Sequence, residues 1–341
     1  MDHTMPDAYT VRAAIALAVR APSVHNTQPW DWRFTGRTVE LRSDPRRHLR
    51  NADPDGRDLL VSCGSALHHF TVAAAAMGWA AQVHRLPDPA EPGLLARIVL
   101  VPHDTRDGDI ALAAAIPRRR SDRRRFADRP LLVRDEVFLQ KSAADQGAAL
   151  RVVVEAPRLS ALTSAAAEAA GLHRADPDYA IELAAWSGQR YTPDGVPAQN
   201  TIQTPTAVRE LRVRDFAGAR LDDTEGRDGA VLTVLSTARD SALDRLRAGE
   251  ATSAVLLTAT LLNLASCVYT EPLELTSTRG LIRDCVLDGH GEPQLVVRIG
   301  YLPEGAAPLP ATPRRPLGEV VRPVAHPYGI GLPVPAELRG R

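Results

Sequence analysis

Apolar positions along this chain switch between two periods, and the switches outline its elements. Residues 10–20 carry Val11, Ile15, Leu17 or Ala18, and Val19 at helical spacing between Arg12 and Arg20, which predicts a helix. Trp32-Arg33-Phe34 and Thr38-Val39-Glu40-Leu41 alternate around Gly36, the pattern of a hairpin. Asp53-Pro54-Asp55-Gly56 marks a turn and a helix start. It opens an Ala-rich helix expected over 57–80, with Gly64 and Ser65 inside it. Residues 82–86 and 95–101 read as strands. Further on, helices are expected at 134–146, 159–170 and 178–186, with a strand at 150–154. Residues 191–206, punctuated by Pro193, Gly195, Pro197 and Pro205, form a long expected loop. A strand at 230–236, an apolar helix at 245–266 and a strand at 294–301 complete the pattern.

The small-residue helix near 64–80 and the apolar helix near 250–266 occupy comparable places, each ahead of strands. The expected fold is therefore α+β, two halves packed as a pseudo-symmetric pair around central helices. Length agrees, because 341 residues exceed the size at which one core keeps growing.

Charge removes several function classes. Basic and acidic residues balance at 41 each, so no overall field favours nucleic acid or an anionic membrane. Cys63, Cys267 and Cys285 are widely separated and odd in number, which fits a reducing compartment rather than a disulfide or zinc framework. The first nine residues, with Asp2 and Asp7, lack the regions of a signal peptide. The longest apolar run, 254–269, is interrupted by Thr258, Thr260, Asn263 and Ser266 and is too short to span a bilayer. A cytoplasmic location is expected.

Three stretches carry candidate chemistry. Arg118-Arg119-Arg120-Ser121-Asp122-Arg123-Arg124-Arg125 places six arginines in eight residues. Charge runs are ordinarily solvated faces. Nucleic acid is disfavoured by the neutral total and the 4% aromatic content. A phosphate monoester suits Arg forks beside a Ser hydroxyl. Ala21-Pro22-Ser23-Val24-His25-Asn26-Thr27-Gln28-Pro29-Trp30 is either a turn that anchors a hairpin or a loop that holds a polar, planar ligand. Thr312-Pro313-Arg314-Arg315-Pro316-Leu317 is a second basic turn. No HExxH, GxSxG or dinucleotide fingerprint occurs; Asp288-Gly289-His290-Gly291 is a turn before a strand. His68 and His69, neighbours on a helix, are expected not to share a metal.

Pro22, Ser23, Asn26, Gln28, Pro29 and Trp30 resemble the PSxxNxQPW loop of the nitroreductase family, with His25 at a variable position. Arg119-Arg120-Ser121-Asp122-Arg123 through Phe126 resembles that family's RRSxRxF phosphate-binding opening. The resemblance implies a nitroreductase-like fold and FMN. It places the phosphate on Arg119, Ser121 and Arg123, with Arg314 or Arg315 closing over it. The flavin edge would meet Pro22, Ser23, His25, Asn26, Gln28, Pro29 and Trp30. It also implies a backbone N–H at Tyr269-Thr270-Glu271-Pro272 for flavin N5, although this segment departs from the PxEG-like family pattern.

In homodimeric members both motifs sit in one protomer, the phosphate motif ahead of the loop. Here the loop lies in the first half, the arginines lie in the second, and neither motif recurs. That arrangement resembles the fused, Acg-like branch, with 1–112 as one half, 113–330 as the other, and one complete site between them. Asp53 to Arg57, Ser62-Cys63-Gly64 and Asp194-Gly195-Val196-Pro197 extend the resemblance. The implied function is an FMN-dependent oxidoreductase passing hydride from NAD(P)H through N5 to a small electron acceptor, with no protein acid or base required. The chain would act as a monomer or homodimer. The alternative is FMN storage, with 191–206 as a lid that blocks the nicotinamide.

Overall fold

The first half opens with α1 (Ala8–Ala18), the hairpin β1 (Trp30–Thr35) and β2 (Thr38–Ser43), and α2 (Arg57–Ala76). β3 (Trp79–Arg85), β4 (Leu94–Pro102) and α3 (Asp107–Ala115) follow. The expected division after residue 112 falls inside α3. Then come α4 (Val133–Ala144), β5 (Ala149–Val153), α5 (Ala156–Ala175) and α6 (Pro177–Ala185). Two small pairs, β6 (Ser187–Gln189) with β7 (Val196–Pro197) and β8 (Ala207–Val208) with β9 (Leu211–Arg212), precede β10 (Val231–Thr237). The chain continues through α7 (Ala242–Leu261), β11 (Ala265–Tyr269), α8 (Glu271–Glu274), α9 (Thr276–Cys285), β12 (Glu292–Gly300), α10 (Leu317–Val320) and β13 (Val321–Pro323). This computed structural model describes residues 5–323 except 190–191, 203–206, 209–210, 213, 215, 217 and 225. The ends of the expected 191–206 loop and the expected boundary at 330 lie outside the described residues.

Two sheets result. One has the order β13-β1-β2-β4-β3, the other β11-β12-β10-β5. All pairings in them are antiparallel except β1 with β13, where Trp32 faces Val321 and Arg33 faces Arg322 in parallel register. The last described strand, β13, therefore completes the sheet of the first half.

Between the sheets α2 lies against α7, and small residues decide how closely. A Cβ on Gly64 would stand 2.0 Å from the Leu246 carbonyl oxygen, and one on Gly249 would stand 2.1 Å from that of Val61. Backbone touches backbone here. Ser65 Oγ adds a hydrogen bond of 2.9 Å to the Gly249 carbonyl. The two cores are interleaved across this contact. Leu246 and Leu257 of α7 pack with Trp30, Trp32 and Phe70, while Val61 of α2 packs with Val255 and Leu295. His68 and His69 both reach the α2–α7 seam. Both Nδ1 atoms lie 2.7 Å from Ser253 Oγ. Among the described residues no group of three His, Cys, Asp or Glu could hold a metal ion.

Several expected boundaries moved for local reasons. α2 stops at Ala76 rather than 80, because Gly78 takes a φ of 85° and the chain turns into β3. The apolar helix expected at 245–266 is two elements. Asn263, at φ 57°, ends the α7 region, and Ala265–Tyr269 becomes a strand beside β12. A continuous apolar run does not distinguish a buried helix from a buried strand. α2 is, among the described residues, the one helix long and apolar enough to cross a bilayer, and 78% of its most apolar window is buried.

Candidate functional site

The loop after α1 is held in an uncommon backbone conformation. His25, Asn26 and Gln28 have φ of 44°, 55° and 50°, a left-handed region that costs non-glycine residues of order 1 kcal/mol each. Hydrogen bonds from elsewhere impose it. Gln28 N donates to Ser23 Oγ (3.0 Å), and Val24 N donates to Ser62 Oγ on α2 (3.0 Å). Asn26 Nδ2 donates to the carbonyls of Pro193 (2.9 Å) and Gly195 (3.0 Å). Gln28 Nε2 reaches Pro193 O at 2.9 Å, and its Oε1 accepts from Arg315 N at 2.8 Å. Asn26 and Gln28 thus tie the loop to the 193–195 and 313–315 segments. Pro22, Ser23 and His25 instead line a partly open cleft with about 780 Å³ of empty space, open solvent included. Trp30 is fully buried in the first core, and the Pro29 carbonyl accepts from Cys63 Sγ at 3.2 Å.

The cavity lies where the halves meet. α2 supplies Asp58, Val61, Ser62 and Ser65, α7 supplies Thr252, and β11 with the following turn supplies Cys267 to Thr270. Ser121 and Arg123 form a further wall, and Arg214 and Phe216 complete the lining. Ser121 also belongs to a smaller adjoining pocket walled by Arg20, Arg119, Arg120 and Arg314.

None of these four guanidinium groups forms an ion pair with a carboxylate among the described residues; the partners of Arg119, Arg120 and Arg314 are carbonyls. Every nitrogen of Arg314 is bonded to a carbonyl, including those of Val19, Arg20 and Ala21 at the end of α1. It contributes charge rather than free donors. Arg119 is the reverse, with Nε and Nη1 buried and unpartnered, as is Nε of Arg20. Burial, with Arg120 and Arg20 beside it, lowers Arg119 to about 10, and burial with Arg119, Arg20 and Arg120 lowers Arg314 to about 9. Both stay cationic at neutral pH. Clustered cations with idle donors make a receptor for a compact dianion.

The remaining arginines of the motif build the wall. Asp122 takes Arg124 in a two-pronged pair (3.0 and 2.7 Å), and Arg125 N donates to Asp223 at 2.8 Å. Buried Arg298 on β12 pairs with Asp228 at 3.3 Å and stacks on Phe126, fixing the end of the motif. Arg123 faces the larger cavity, where Nη1 donates to the Asn200 carbonyl (3.0 Å) and the guanidinium lies 4.9 Å from the Phe216 ring. It does not line the pocket walled by Arg20, Arg119, Arg120 and Arg314. Of Arg314 and Arg315, Arg314 walls that pocket, and Arg315 turns inward to the Gln28 backbone and Glu319.

Arg214 and Phe216 are anchored by a buried charge network. Arg214 bonds His25 Nε2 and Glu274, and its Nε lies 3.7 Å from Glu271. His173 stacks on Tyr179 with ring centres 4.0 Å apart and approaches Glu271 and Glu274 at 3.6 and 3.7 Å. Burial works to raise the Glu271 carboxyl, but Arg214, His173 and Tyr269 outweigh it and hold it below the ordinary range. Burial, then Arg214 and Arg123, push His25 far below its usual value, so its ring is neutral. Glu271 therefore braces the Arg214 segment, while its neighbour Thr270 lines the cavity. The described part of the expected lid, 192–202, contributes no lining residue.

A relative from Mycobacterium tuberculosis, provisionally named an NAD(P)H nitroreductase, is 46% identical over 325 residues, 94% of this chain and 93% of its own. The chain belongs to the nitroreductase family. Acg from the same organism, provisionally given the same activity, is 37% identical over 324 residues, 94% of this chain and 97% of its own, which places the chain in the Acg-like branch. The FMN-dependent nitroreductase NfnB of Mycobacterium smegmatis, solved in complex with NADPH, is 18% identical with a TM-score of 0.41, covering 63% of this chain and 99% of its own. No family model matches the chain.

Within this candidate site, several residues had no signal in the sequence pattern. Arg20 read as the polar flank of α1, yet its place just before the Ala21-Pro22-Ser23 turn brings it to the arginine pocket. Asp58, Ser62 and Ser65 recur at three- and four-residue spacing, one face of α2, which identifies a shared face but not what it meets. Arg214 and Phe216 lie in a stretch without periodicity.

Proposed function

We propose that this chain binds FMN between its halves and passes electrons from NAD(P)H to a small acceptor. The observation that carries this reading is the carboxylate-free arginine pocket opening beside the larger cleft between the halves. The residues fit the group. Arg119 and Arg20 hold unpartnered buried donors for a phosphate, Arg120 and Arg314 add charge, and Ser121 stands at the junction. Pro22, Ser23, His25, Ser62 and Ser65 then border the space a flavin ring and its ribityl chain require. When bound, FMN supplies reversible hydride transfer, with N5 as the reacting atom. The chain's residues bind, orient and screen it from water. The provisional names of the two relatives support NAD(P)H as the donor.

The test is anaerobic mixing of the yellow, FMN-loaded protein with NADPH or NADH. Loss of the oxidised flavin absorbance is the expected result. A flavin that stays oxidised with both donors favours the second reading, storage of FMN, for which the Arg214 and Phe216 side chains crowding the cleft wall are the supporting observation. Phe216→Ala removes the ring that His25 meets edge-on at 5.8 Å and Arg123 covers. Faster bleaching in that variant, with unchanged FMN affinity, is expected if Phe216 limits access of the nicotinamide.

A further inference from the structure

Asp58 is a buried carboxyl in the cavity wall with nothing to neutralise it. It is 7% exposed, it forms no ion pair among the described residues, and its Oδ2 has no hydrogen-bond partner. A bare buried carboxylate carries a penalty of several kcal/mol, which protonation removes. Neighbouring charge acts in the same direction. Asp53 stands ahead of α2 and Glu274 on α8, both close enough to repel a second negative charge. The Thr270 hydroxyl and Arg57 oppose this more weakly. Arg57 is engaged by Asp240, the Pro293 carbonyl and Gln294, and Arg214 by Glu274 and Glu271.

Asp53 and Asp58 compete for one proton, and their hydrogen bonds decide the winner. Asp53 accepts from the N–H groups of Asp58 (3.0 Å) and Leu59 (2.8 Å) at the start of α2, where the helix favours a negative charge. Asp58 has no comparable donor at Oδ2. Burial raises both carboxyls, but Asp53, with its two backbone donors, ionises first and Asp58 keeps its proton longer. Burial foremost, then Asp53 and Glu274, raise the Asp58 carboxyl to about 8.

We propose that Asp58 is the acid of this site, a neutral carboxyl group that donates its proton to the acceptor as electrons arrive. The inference rests on the oxidoreductase reading above and adds a proton donor to it. For a quinone acceptor, NAD(P)H gives up a hydride, two electrons and one proton, and becomes NAD(P)+. The quinone takes up that hydride equivalent. The Asp58 O–H bond breaks as a new O–H bond forms on the quinone's second oxygen. Hydroquinone leaves, and the Asp58 carboxylate regains a proton from bulk solvent, the one proton the overall reaction consumes.

Infrared spectroscopy of the unliganded protein tests the resting state. A carboxylic acid C=O stretch is expected near pH 7, lost above about pH 9 and absent from Asp58→Asn; Asp58→Ser serves if the amide does not fold. With FMN, NADPH and a water-soluble benzoquinone, kcat/KM should be flat below about pH 8 and fall tenfold per pH unit above it, because only the protonated acid donates. Asp58→Asn should lower kcat about 100-fold and abolish that alkaline limb, with FMN affinity unchanged by fluorescence titration. Absence of the infrared band near pH 7, or an Asn variant that keeps the wild-type rate and limb, overturns the proposal. Failure of the protein to bind FMN overturns the oxidoreductase reading instead. A reducible flavin beside an ionised Asp58 removes the acid alone.

Discussion

Arg119→Leu is expected to weaken FMN binding about 100-fold while making the ligand-free protein more stable. The first effect follows from two idle donors. Nε and Nη1 of Arg119 have no protein partner, and each charge-assisted hydrogen bond to a phosphate oxygen contributes about 1.5–3 kcal/mol. Losing both removes roughly 3 kcal/mol or more, since 1.4 kcal/mol is about tenfold in affinity. The second effect has the same origin. Without an anion, Arg119 is a buried cation among Arg20 and Arg120, and leaving its donors unpaired costs about 1–3 kcal/mol. Leucine removes that burden. Fluorescence titration with FMN and urea unfolding of the apo protein measure the pair of effects. Loss of both binding and stability would mean the residue braces the fold; no change in either would make the cluster a solvated face. Arg123→Ala should behave differently, disturbing the Asn200 and Phe216 contacts rather than the phosphate.

Gly64→Val is expected to destabilise the protein by about 4 kcal/mol or more, and Gly249→Val by a similar amount. At Gly64 the nearest obstacle to a side chain is the Leu246 carbonyl at 2.0 Å, followed by Gly249 Cα at 3.0 Å. At Gly249 it is the Val61 carbonyl at 2.1 Å and Gly64 Cα at 2.8 Å. These are backbone atoms of helices packed on both sheets, so no rotamer change relieves the overlap. The helices must separate, and the interleaved cores separate with them. FMN retention should fall with stability, because α2 and α7 both wall the cavity. Gly171→Ala is the control. Nothing lies within 4 Å of its Cβ position on α5, so Ala there should stabilise by about 0.5–1 kcal/mol. Wild-type stability in both seam variants would mean that α2 and α7 are not in close contact.

What the sequence made legible depended on whether a signal was local. The hairpin around Gly36 and the Ala-rich helix followed from periodicity. Pro22, Ser23 and His25, together with Arg119 and Ser121, lie on the cavity and pocket walls at positions the motifs named. Asn26, Gln28 and Trp30 belong to the same motif but face other parts of the chain. A motif records which residues occur together, without separating those that border a ligand from those that hold the loop in a strained shape. The lining by Arg214 and Phe216 depends on partners on α8, in α5 and α6, and in the early loop, all far apart in sequence. Asp58 was illegible for a related reason. Its character comes from Asp53, Glu274 and an unfilled hydrogen-bond position, none of which composition or spacing reports.

The placement of β13 beside β1 has a consequence for biosynthesis. A ribosome delivers this neighbour of β1 only after the whole second half has been made. Until then one margin of the first sheet presents unpaired amide and carbonyl groups. The N-terminal half must pass through translation with that margin open. Chains released before residue 321 keep it open permanently, which makes prematurely terminated products of this gene natural substrates for chaperones or for aggregation.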